Sequence, residues 1–460
     1  MISLVGFIYI KIEEEKLMLK KMLAIVLALT FVFSLAACGQ EAEVAPTNAP
    51  VEAPVDTPAE TDATPVEDKE ETLSGTLEIW SSGEELGRFV EGFNKIYPDV
   101  TVNITVVPNS DFIAKITPTL AGGQGAPDIF TGESDYVKYL VESGYWDDLK
   151  AAPYNADVSD VWGYVASVGT DSAGVLRALS WQASPGSIMY RRDMALKVLG
   201  TDDPEQVAAM LTDDAAMMDV AAKLKAEGIK MFASWQDIFN MQFSNRKNPW
   251  VVDDKLIIDD SMITFMDNVK VIVENGYDLG VDPWAPEWCA AVESDDTFCY
   301  VLPSWGYQFV VKPAAVNTSG QWAMCQGPVP YVKGGTWLGI YKDSPNKDLA
   351  WAFLSYCCLN SEAQKEYATV YGEYVSLKSA NDALASGEGE AVLGGQNHFA
   401  FYNDQMGKLP ADLMTGYDGT INNAFLAATK NYATGAMTKD EAIAQFKADV
   451  ANAYPDLTIE

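Results

Sequence analysis

The chain has 460 residues and a formal net charge of −34, with 65 acidic and 31 basic side chains. A surface this acidic repels phosphate groups, so the composition argues against nucleic acid or an anionic lipid surface as a partner. The single histidine, His398, leaves little room for a Ser-His-Asp triad or a histidine-rich zinc site, and we expect it to be structural. The six cysteines form no CxxC pair, so we predict no metal site and no cofactor.

Residues 1–37 are predicted to be a leader with a signal peptide. Lys20 and Lys21 precede a short apolar run, and Leu-Ala-Ala-Cys follows at 35–38. These features are typical of a secretory signal, and the last four residues resemble the lipobox of bacterial lipoproteins. The resemblance implies cleavage before Cys38 and a lipid on its sulfur, which would hold the protein at the extracellular face of the cytoplasmic membrane. The acidic stretch upstream of Met18 does not fit a signal, so we expect translation to start at Met18.

An uncleaved membrane anchor is the alternative for the apolar run, although the run is shorter than the about 20 residues that a span needs. Residues 38–74, which follow it, are rich in Pro, Ala, Thr and acidic side chains. Such a segment cannot bury enough apolar surface to fold, and its prolines and like charges extend it. We predict a disordered tether, whose length suits the thick cell wall of a Gram-positive bacterium.

Strands and helices alternate from residue 75 onward. Strands are predicted at 76–80, 100–107, 128–131, 229–233 and 298–302, and helices at 84–96, 111–120, 135–142, 212–227, 263–275, 346–367 and within 411–453. The alternation indicates βαβ units, and 386 residues (75 to 460) exceed what one core usually supports. Ligands of such sheets bind beyond the carboxyl ends of the strands, here 81–84 and 131–135.

Cys289 and Cys299 are ten residues apart and could form a disulfide outside the cell. The remaining thiols after the lipobox, Cys325, Cys357 and Cys358, fit buried positions, the last two within a predicted helix.

Short motifs of one known family follow one another along the chain. They are Gly75-Thr-Leu-Glu-Ile-Trp80, Phe93-Asn-Lys-Ile-Tyr-Pro98, Gly125-Ala-Pro-Asp-Ile-Phe130, Gly144-Tyr-Trp-Asp-Asp-Leu149, Ala178-Leu-Ser-Trp181, Met189-Tyr-Arg-Arg-Asp193, Gly334-Gly-Thr-Trp-Leu-Gly339 and Ser344-Pro-Asn-Lys-Asp-Leu-Ala350. Their order and spacing, behind a lipobox, make the chain resemble the extracellular solute-binding proteins of bacterial ABC importers. The resemblance is to family 1, the carbohydrate-binding group that includes maltose-binding protein.

The resemblance implies an α/β fold of the two-lobed periplasmic-binding-protein type (type II), each lobe a mainly parallel sheet flanked by helices. It places the first lobe at 75–183 plus 338–373 and the second at 184–337 plus 374–460, joined by a three-segment hinge. A ligand in the cleft would bond to both lobes and stabilise the closed state. The implied protein is a monomer and not an enzyme. Its expected partners are a sugar and the membrane subunits of an ABC permease.

A sugar presents apolar C–H faces and a rim of hydroxyls, so its pocket needs aromatic rings beside carboxylates and amides. Four tryptophans stand beside Gly, Ser or Gln at predicted strand ends or lobe crossings: Trp181, Trp235, Trp305 and Trp337. By the resemblance, Trp305 also matches an aromatic stacking position. A place in the core is the alternative for each ring.

Polar candidates follow predicted strands or lie at lobe crossings: Ser82, Glu84, Glu133, Asp135, Gln182, Gln236, Asp237 and Glu373. Ordinary solvation is the alternative for each carboxylate. Aromatic, acidic and amide groups without a cluster of Arg or Lys favour a neutral oligosaccharide. A polyamine or a peptide in the same cleft, a surface glycoside hydrolase with paired carboxylates, and a sensory role are the competing hypotheses.

Overall fold

The computed structural model describes residues 73–410 and 413–459. The predicted leader, the lipobox and nearly all of the tether lie outside these residues. The described residues form strands β1 (Gly75–Ser81), β2 (Val100–Val106), β3 (Ile129–Glu133), β4 (Leu179–Ser180), β5 (Gly186–Arg191), β6 (Lys230–Phe232), β7 (Val251–Val252), β8 (Lys255–Leu256), β9 (Thr297–Pro303), β10 (Trp322–Cys325) and β11 (Thr336–Ile340). Strands β7 and β8 form a separate hairpin.

The first sheet has the strand order β2-β1-β3-β11-β4. Strand β1 runs parallel to β2 and to β3, whereas β11 is antiparallel to both β3 and β4. On β1, Leu77 and Ile79 point into the core while Glu78 between them is exposed, which is the alternation of a half-buried strand.

The second sheet has the order β10-β5-β9-β6. Here β5 is antiparallel to both of its neighbours, and β6 is parallel to β9. Both sheets are therefore mixed, and the expectation of mainly parallel sheets needs correction. The reason lies in the connections, because β5 and β11 each enter their sheet from the other one and run antiparallel to the strands beside them.

The α-helices are Val90–Ile96, Asn109–Gly122, Val137–Glu142, Gly163–Val168, Arg192–Leu199, Pro204–Ala208, Asp214–Ala226, Phe239–Ser244, Asp260–Asn275, Pro286–Ala290, Ser304–Gly306, Lys312–Ala314, Lys347–Leu359, Ser361–Tyr371, Lys378–Ala385, His398–Met406, Asp418–Ala433 and Lys439–Ala453. Short 3₁₀ turns cover Glu85–Phe89, Trp235–Ile238 and Ala291–Glu293, and Tyr307–Val311 is π-helical. In the described residues no helix has the length and apolar character of a membrane span.

One predicted helix, 346–367, is two helices in the structure. Asn360 interrupts it in an extended conformation, and its side-chain oxygen accepts a hydrogen bond from the backbone N–H of Ala363 at 3.0 Å. Asparagine is a favoured N-cap residue, so it begins the second helix rather than continuing the first.

Three segments connect the two halves of the fold and lie side by side: the first is 181–185, the second 332–336 and the third 372–376. The first segment, 181–185, pairs with the third through the bonds from Ala183 N–H to Tyr374 O and from Ser376 N–H to Trp181 O. It pairs with the second segment through the bond from Lys333 N–H to Ser184 O. The positions of the strands are compatible with the expected lobes, whose boundaries stay a prediction.

Among the described residues the thiols and the histidine are buried, apart from Cys289, which is exposed and free. Cys299 lies buried in β9 with its sulfur 3.0 Å from Met231 O, so the disulfide considered for Cys289 and Cys299 is not formed. His398 is 3% exposed and its Nε2 lies 2.9 Å from Gly372 O in the third connecting segment. Among the described residues no His, Cys, Asp and Glu side chains group into a metal site.

Candidate functional site

A cavity of about 240 Å³ lies where strands of both sheets end. Asp135 comes two residues after β3, Trp305 two residues after β9, and Asp237 follows β6. The carboxyl ends of strands are where α/β sheets bind ligands, so the sheets position this cavity. Residues that follow strands of both sheets line this cavity, and we call it the cleft.

Tryptophans form one wall of the cleft. Trp305 is half-buried, and its Nε1 donates a hydrogen bond to Lys333 O at 2.9 Å. The ring of Trp284 lies almost parallel to it, with 5.9 Å between the ring centroids and 15° between the planes. Trp288 is fully buried behind them. The wall therefore offers aromatic faces that are fixed by packing and hydrogen bonding.

Asp237 supplies a carboxyl group at the base of the cleft. It is 6% exposed, and one of its oxygens accepts a hydrogen bond from Trp288 Nε1 at 2.9 Å. Burial raises the pKa of Asp237 to about 8, and the nearby Asp278 adds to the shift. The group therefore carries its proton at neutral pH and can both donate and accept a hydrogen bond.

The charged groups along the cleft are paired with one another. Lys333 Nζ lies 2.6 Å from Asp135 Oδ1. At the rim, Lys430 Nζ lies 3.0 Å from Asp282 Oδ1, which also accepts a hydrogen bond from Gln236 Nε2 at 2.6 Å. Each of these lysines meets a carboxylate, so the cleft presents dipoles and aromatic faces more than net charge.

Two smaller cavities extend the cleft into a groove. The first, of about 40 Å³, shares Asp135, Lys333 and Asn422 with the cleft. The second, of about 60 Å³, shares Phe243 and Val332 with the first. The three cavities therefore adjoin one another.

Four of the predicted binding residues, Asp135, Gln236, Asp237 and Trp305, line the cleft together. Four others belong to a polar network in the first lobe and the connecting segments instead: Ser82, Glu133, Gln182 and Glu373. In that network Glu133 Oε1 accepts hydrogen bonds from Ser82 Oγ at 2.5 Å and from Thr336 Oγ1 at 2.7 Å. Burial raises the pKa of Glu133, and the two hydroxyl donors oppose that shift.

Gln182 joins the three connecting segments to one another. Its Oε1 accepts from the backbone N–H of Thr336 at 3.1 Å, and its Nε2 donates to Glu373 Oε2 at 3.1 Å. Glu373 is 3% exposed, and its other oxygen pairs with Arg88 Nη1 at 2.6 Å and accepts from Tyr367 Oη at 3.0 Å. Burial raises the pKa of Glu373, against the hydrogen bond from Gln182 and the charge of Arg88.

Three of the four predicted stacking tryptophans lie in the core. Trp181 is 1% exposed and packs edge-on against Phe89, and Trp235 is 5% exposed beside Phe265. Trp337 is also 1% exposed; one edge touches the first small cavity, and its Nε1 donates to Val165 O at 2.9 Å. These rings offer no open face to a ligand, because Trp181 and Trp337 are buried at strands β4 and β11 and Trp235 is buried at the start of the 3₁₀ turn after β6.

Glu84 is exposed next to the 3₁₀ turn Glu85–Phe89 and does not line the cleft. Trp284 was missed by the sequence analysis, since it follows no predicted strand. A signal was present in Asp282-Pro283-Trp284-Ala285-Pro286, where two prolines stiffen the loop that carries the ring.

Two sheets, three connecting segments and a cleft between them define a two-lobed ligand-binding protein. Residues 88–391 match the model of the family described as bacterial extracellular solute-binding protein. The chain therefore belongs to the bacterial extracellular solute-binding proteins. No curated protein matches the sequence.

Solved structures share this fold. A family 1 extracellular solute-binding protein has a TM-score of 0.72 at 18% identity, covering 82% of this chain and 99% of that one. The GacH receptor of Streptomyces glaucescens, solved unliganded and with acarbose, has a TM-score of 0.67 at 18% identity, covering 84% and 100%. An ABC transporter associated binding protein from B. animalis subsp. lactis, in complex with β-1,6-galactobiose, has a TM-score of 0.67 at 16% identity, covering 84% and 100%. These structural matches establish the fold. They do not identify the ligand of this chain, which has to be inferred from the chemistry of the cleft.

Proposed function

We propose that this chain captures a neutral oligosaccharide in the cleft and delivers it to the permease of an ABC importer. The observation that carries the proposal is the pairing of open tryptophan faces with polar groups in one cavity. Trp284 and Trp305 offer faces for sugar C–H groups, while Gln236, Asn240 and Asp237 offer hydrogen-bond partners for hydroxyls.

The electrostatics of the cleft favour a neutral ligand over a polyamine. A polyamine site needs ionised carboxylates, and burial raises the pKa of Asp237 to about 8, so binding a cation there carries the added cost of removing that proton at neutral pH. Asp135 is already paired with Lys333 at 2.6 Å. An anionic sugar would in turn compete with Asp135 for that lysine.

Structural relatives solved with acarbose and with β-1,6-galactobiose support a saccharide ligand. A binding role in place of hydrolysis agrees with the family. Glycoside hydrolysis predicts release of shorter sugars when an oligosaccharide is incubated with the pure protein, and we expect no such release.

We further propose that the protein is monomeric and anchored outside the cytoplasmic membrane through a lipid on Cys38, in a Gram-positive cell wall. The support is the lipobox at 35–38 and the tether sequence that follows it. Capture on a tether keeps the ligand close to the permease, since a linked module has a high effective concentration.

The test is isothermal titration and thermal shift of the purified protein with four ligand classes: neutral oligosaccharides, monosaccharides, spermidine and short peptides. A ligand that binds only the folded state raises the melting temperature by mass action. We expect binding to one class of neutral oligosaccharide. Binding to spermidine or peptides alone would overturn the sugar assignment while keeping the transport role.

A further inference from the structure

Strand β2 forms one edge of the first sheet, and no other described segment pairs with its outer side. It pairs with β1 along its whole length, from Val100 opposite Gly75 to Val106 opposite Ser81. Between 101 and 106 the backbone makes no hydrogen bond to any described segment other than β1. An exposed edge of this kind presents a row of N–H and C=O groups that can accept a further strand.

The other edges of the two main sheets are covered or short. At the edge strand β10, the N–H of Met324 donates to Gln396 Oε1 at 2.7 Å, and Gln396 Nε2 donates to Met324 O at 2.8 Å. At the edge strand β6, the N–H groups of Met231 and Phe232 both donate to Tyr277 O. Strand β4 has only two residues. Strand β2, with seven, is therefore the long edge that the described residues leave open.

The sequence of β2 lacks the features that normally keep an edge strand from pairing. Its residues 100–106 read Val-Thr-Val-Asn-Ile-Thr-Val, with no charged side chain and no proline. Edge strands of natural proteins are usually protected by lysine, proline or a bulge. The side chains of Thr101, Asn103 and Thr105 are exposed on one face, so a second strand can approach this edge from solvent.

The same seven residues read almost identically in both directions, with Asn103 at the centre. An antiparallel partner of the same sequence, related by a two-fold axis at Asn103, would place Thr101 opposite Thr105 and Val102 opposite Ile104. A two-fold contact requires a surface that is complementary to itself, and this strand meets that requirement. Threonine pairs and pairs of β-branched side chains also stabilise antiparallel strands.

We propose that β2 is a self-association edge, through which two copies of this chain join their first sheets in antiparallel register about Asn103. Seven residues a side are far fewer than the about 20–30 of a stable interface, and the net charge of −34 opposes contact. The pairing is therefore transient. The protein stays a monomer in dilute solution, and pairs form where copies are crowded, as they would be on the proposed membrane tethers.

The first test is sedimentation velocity of the purified mature protein from low micromolar to near-millimolar concentration. We expect the average mass to rise above that of the monomer only at the upper end, and to rise further when added salt screens the net charge. The variant Thr101→Lys/Thr105→Lys sets like charges opposite each other and should abolish the rise, although it makes the net charge less negative. Its matched control, Thr101→Lys/Thr105→Glu, sets opposite charges together and should keep the rise.

The second test is disulfide cross-linking, which reports the register. Position 103 alone faces its own copy, and opposed Cα atoms of antiparallel strands lie about 4.5–5.5 Å apart, within reach of a disulfide. Under mild oxidation at high concentration we expect Asn103→Cys to cross-link and Thr101→Cys to stay at the level of the wild type, whose exposed Cys289 sets the baseline. A monomer at every concentration, equal behaviour of the two double variants, or equal cross-linking at positions 101 and 103 would overturn the inference.

Discussion

Single residues in the cleft set its response to pH, and Asp237 is the clearest case. Its carboxyl has a pKa of about 8 in the folded protein against 3.8 when unperturbed, because burial penalises the charged form. Between these values the folded state holds more protons than the unfolded state. The contribution of Asp237 to stability is therefore full below about pH 4, falls as the pH rises, and is lost above about pH 8.

Asp237→Asn removes this dependence and keeps an acceptor for Trp288 Nε1. We expect the melting temperature of the variant to fall less between pH 5 and pH 9 than that of the wild type, and the variant to be more stable than the wild type at pH 9 by a free energy on the order of a few kcal/mol. Calorimetric melting across that range is the measurement. Asp282→Asn, at an exposed and ion-paired carboxylate, is the control, and an unchanged wild-type slope in Asp237→Asn would contradict the prediction.

Trp305→Ala tests the aromatic wall directly. Loss of the ring removes one sugar-facing surface and the hydrogen bond to Lys333 O, so binding of the ligand should weaken by about 1–3 kcal/mol. Titration calorimetry measures the effect, and near-wild-type affinity in a folded variant would assign Trp305 to structure alone.

At the scale of elements, the three connecting segments behave as one unit because Gln182 bonds to the other two. Gln182→Leu keeps the volume but leaves the buried Glu373 without one donor and Thr336 N–H without its acceptor. We expect the free energy of unfolding to fall by about 1–3 kcal/mol in urea titrations. Gln445→Leu, at an exposed amide on the last helix, should change it by less than about 0.5 kcal/mol.

A second element, the helix Asp418–Ala433, brings the lobes together at its first turn. A side chain at Gly419 would place its Cβ 2.4 Å from Asp135 O, so only glycine allows this approach. Gly419→Ala should wedge the cleft open, raising the radius of gyration in solution scattering and lowering ligand affinity about tenfold. Gly407→Ala, where the nearest atom is 3.6 Å away, should do neither.

Local sequence patterns predicted the individual helices and strands well, but they did not predict which strands pair with one another. The predicted strand 76–80 and the predicted helix 212–227 each correspond to one element, Gly75–Ser81 and Asp214–Ala226, so sequence is enough to find them. The antiparallel entry of β5 and β11 depends on which sheet the chain came from, which no local pattern records. For the same reason, the residues next to them in sequence could not show that Trp181 and Trp337 lie in the core whereas Trp305 lines the cleft.

At the scale of the whole molecule, the net charge of −34 and the proposed lipid-bearing N-terminal segment bear on how the protein is held at the membrane. Acidic surfaces are repelled by anionic lipids, so charge gives the chain no affinity for a membrane. Attachment then depends on the proposed lipid at Cys38.

Cys38→Ser should abolish that attachment. We expect the wild type to partition into the detergent phase of a phase-separation assay and the variant to appear in the aqueous phase or the medium. A membrane-bound Cys38→Ser protein would contradict the lipid anchor, and intact-mass analysis of the mature wild type provides the control for lipid addition.

The two parallel indoles of the cleft have a practical consequence. Trp284 is largely open to water while the other rings of that wall are half or fully buried, so a sugar laid over it would change the surroundings of one fluorophore far more than the rest. The emission spectrum of the unlabelled protein should then shift when the cleft fills. The unlabelled protein can in this sense report ligand binding by its own fluorescence when it is titrated with candidate saccharides.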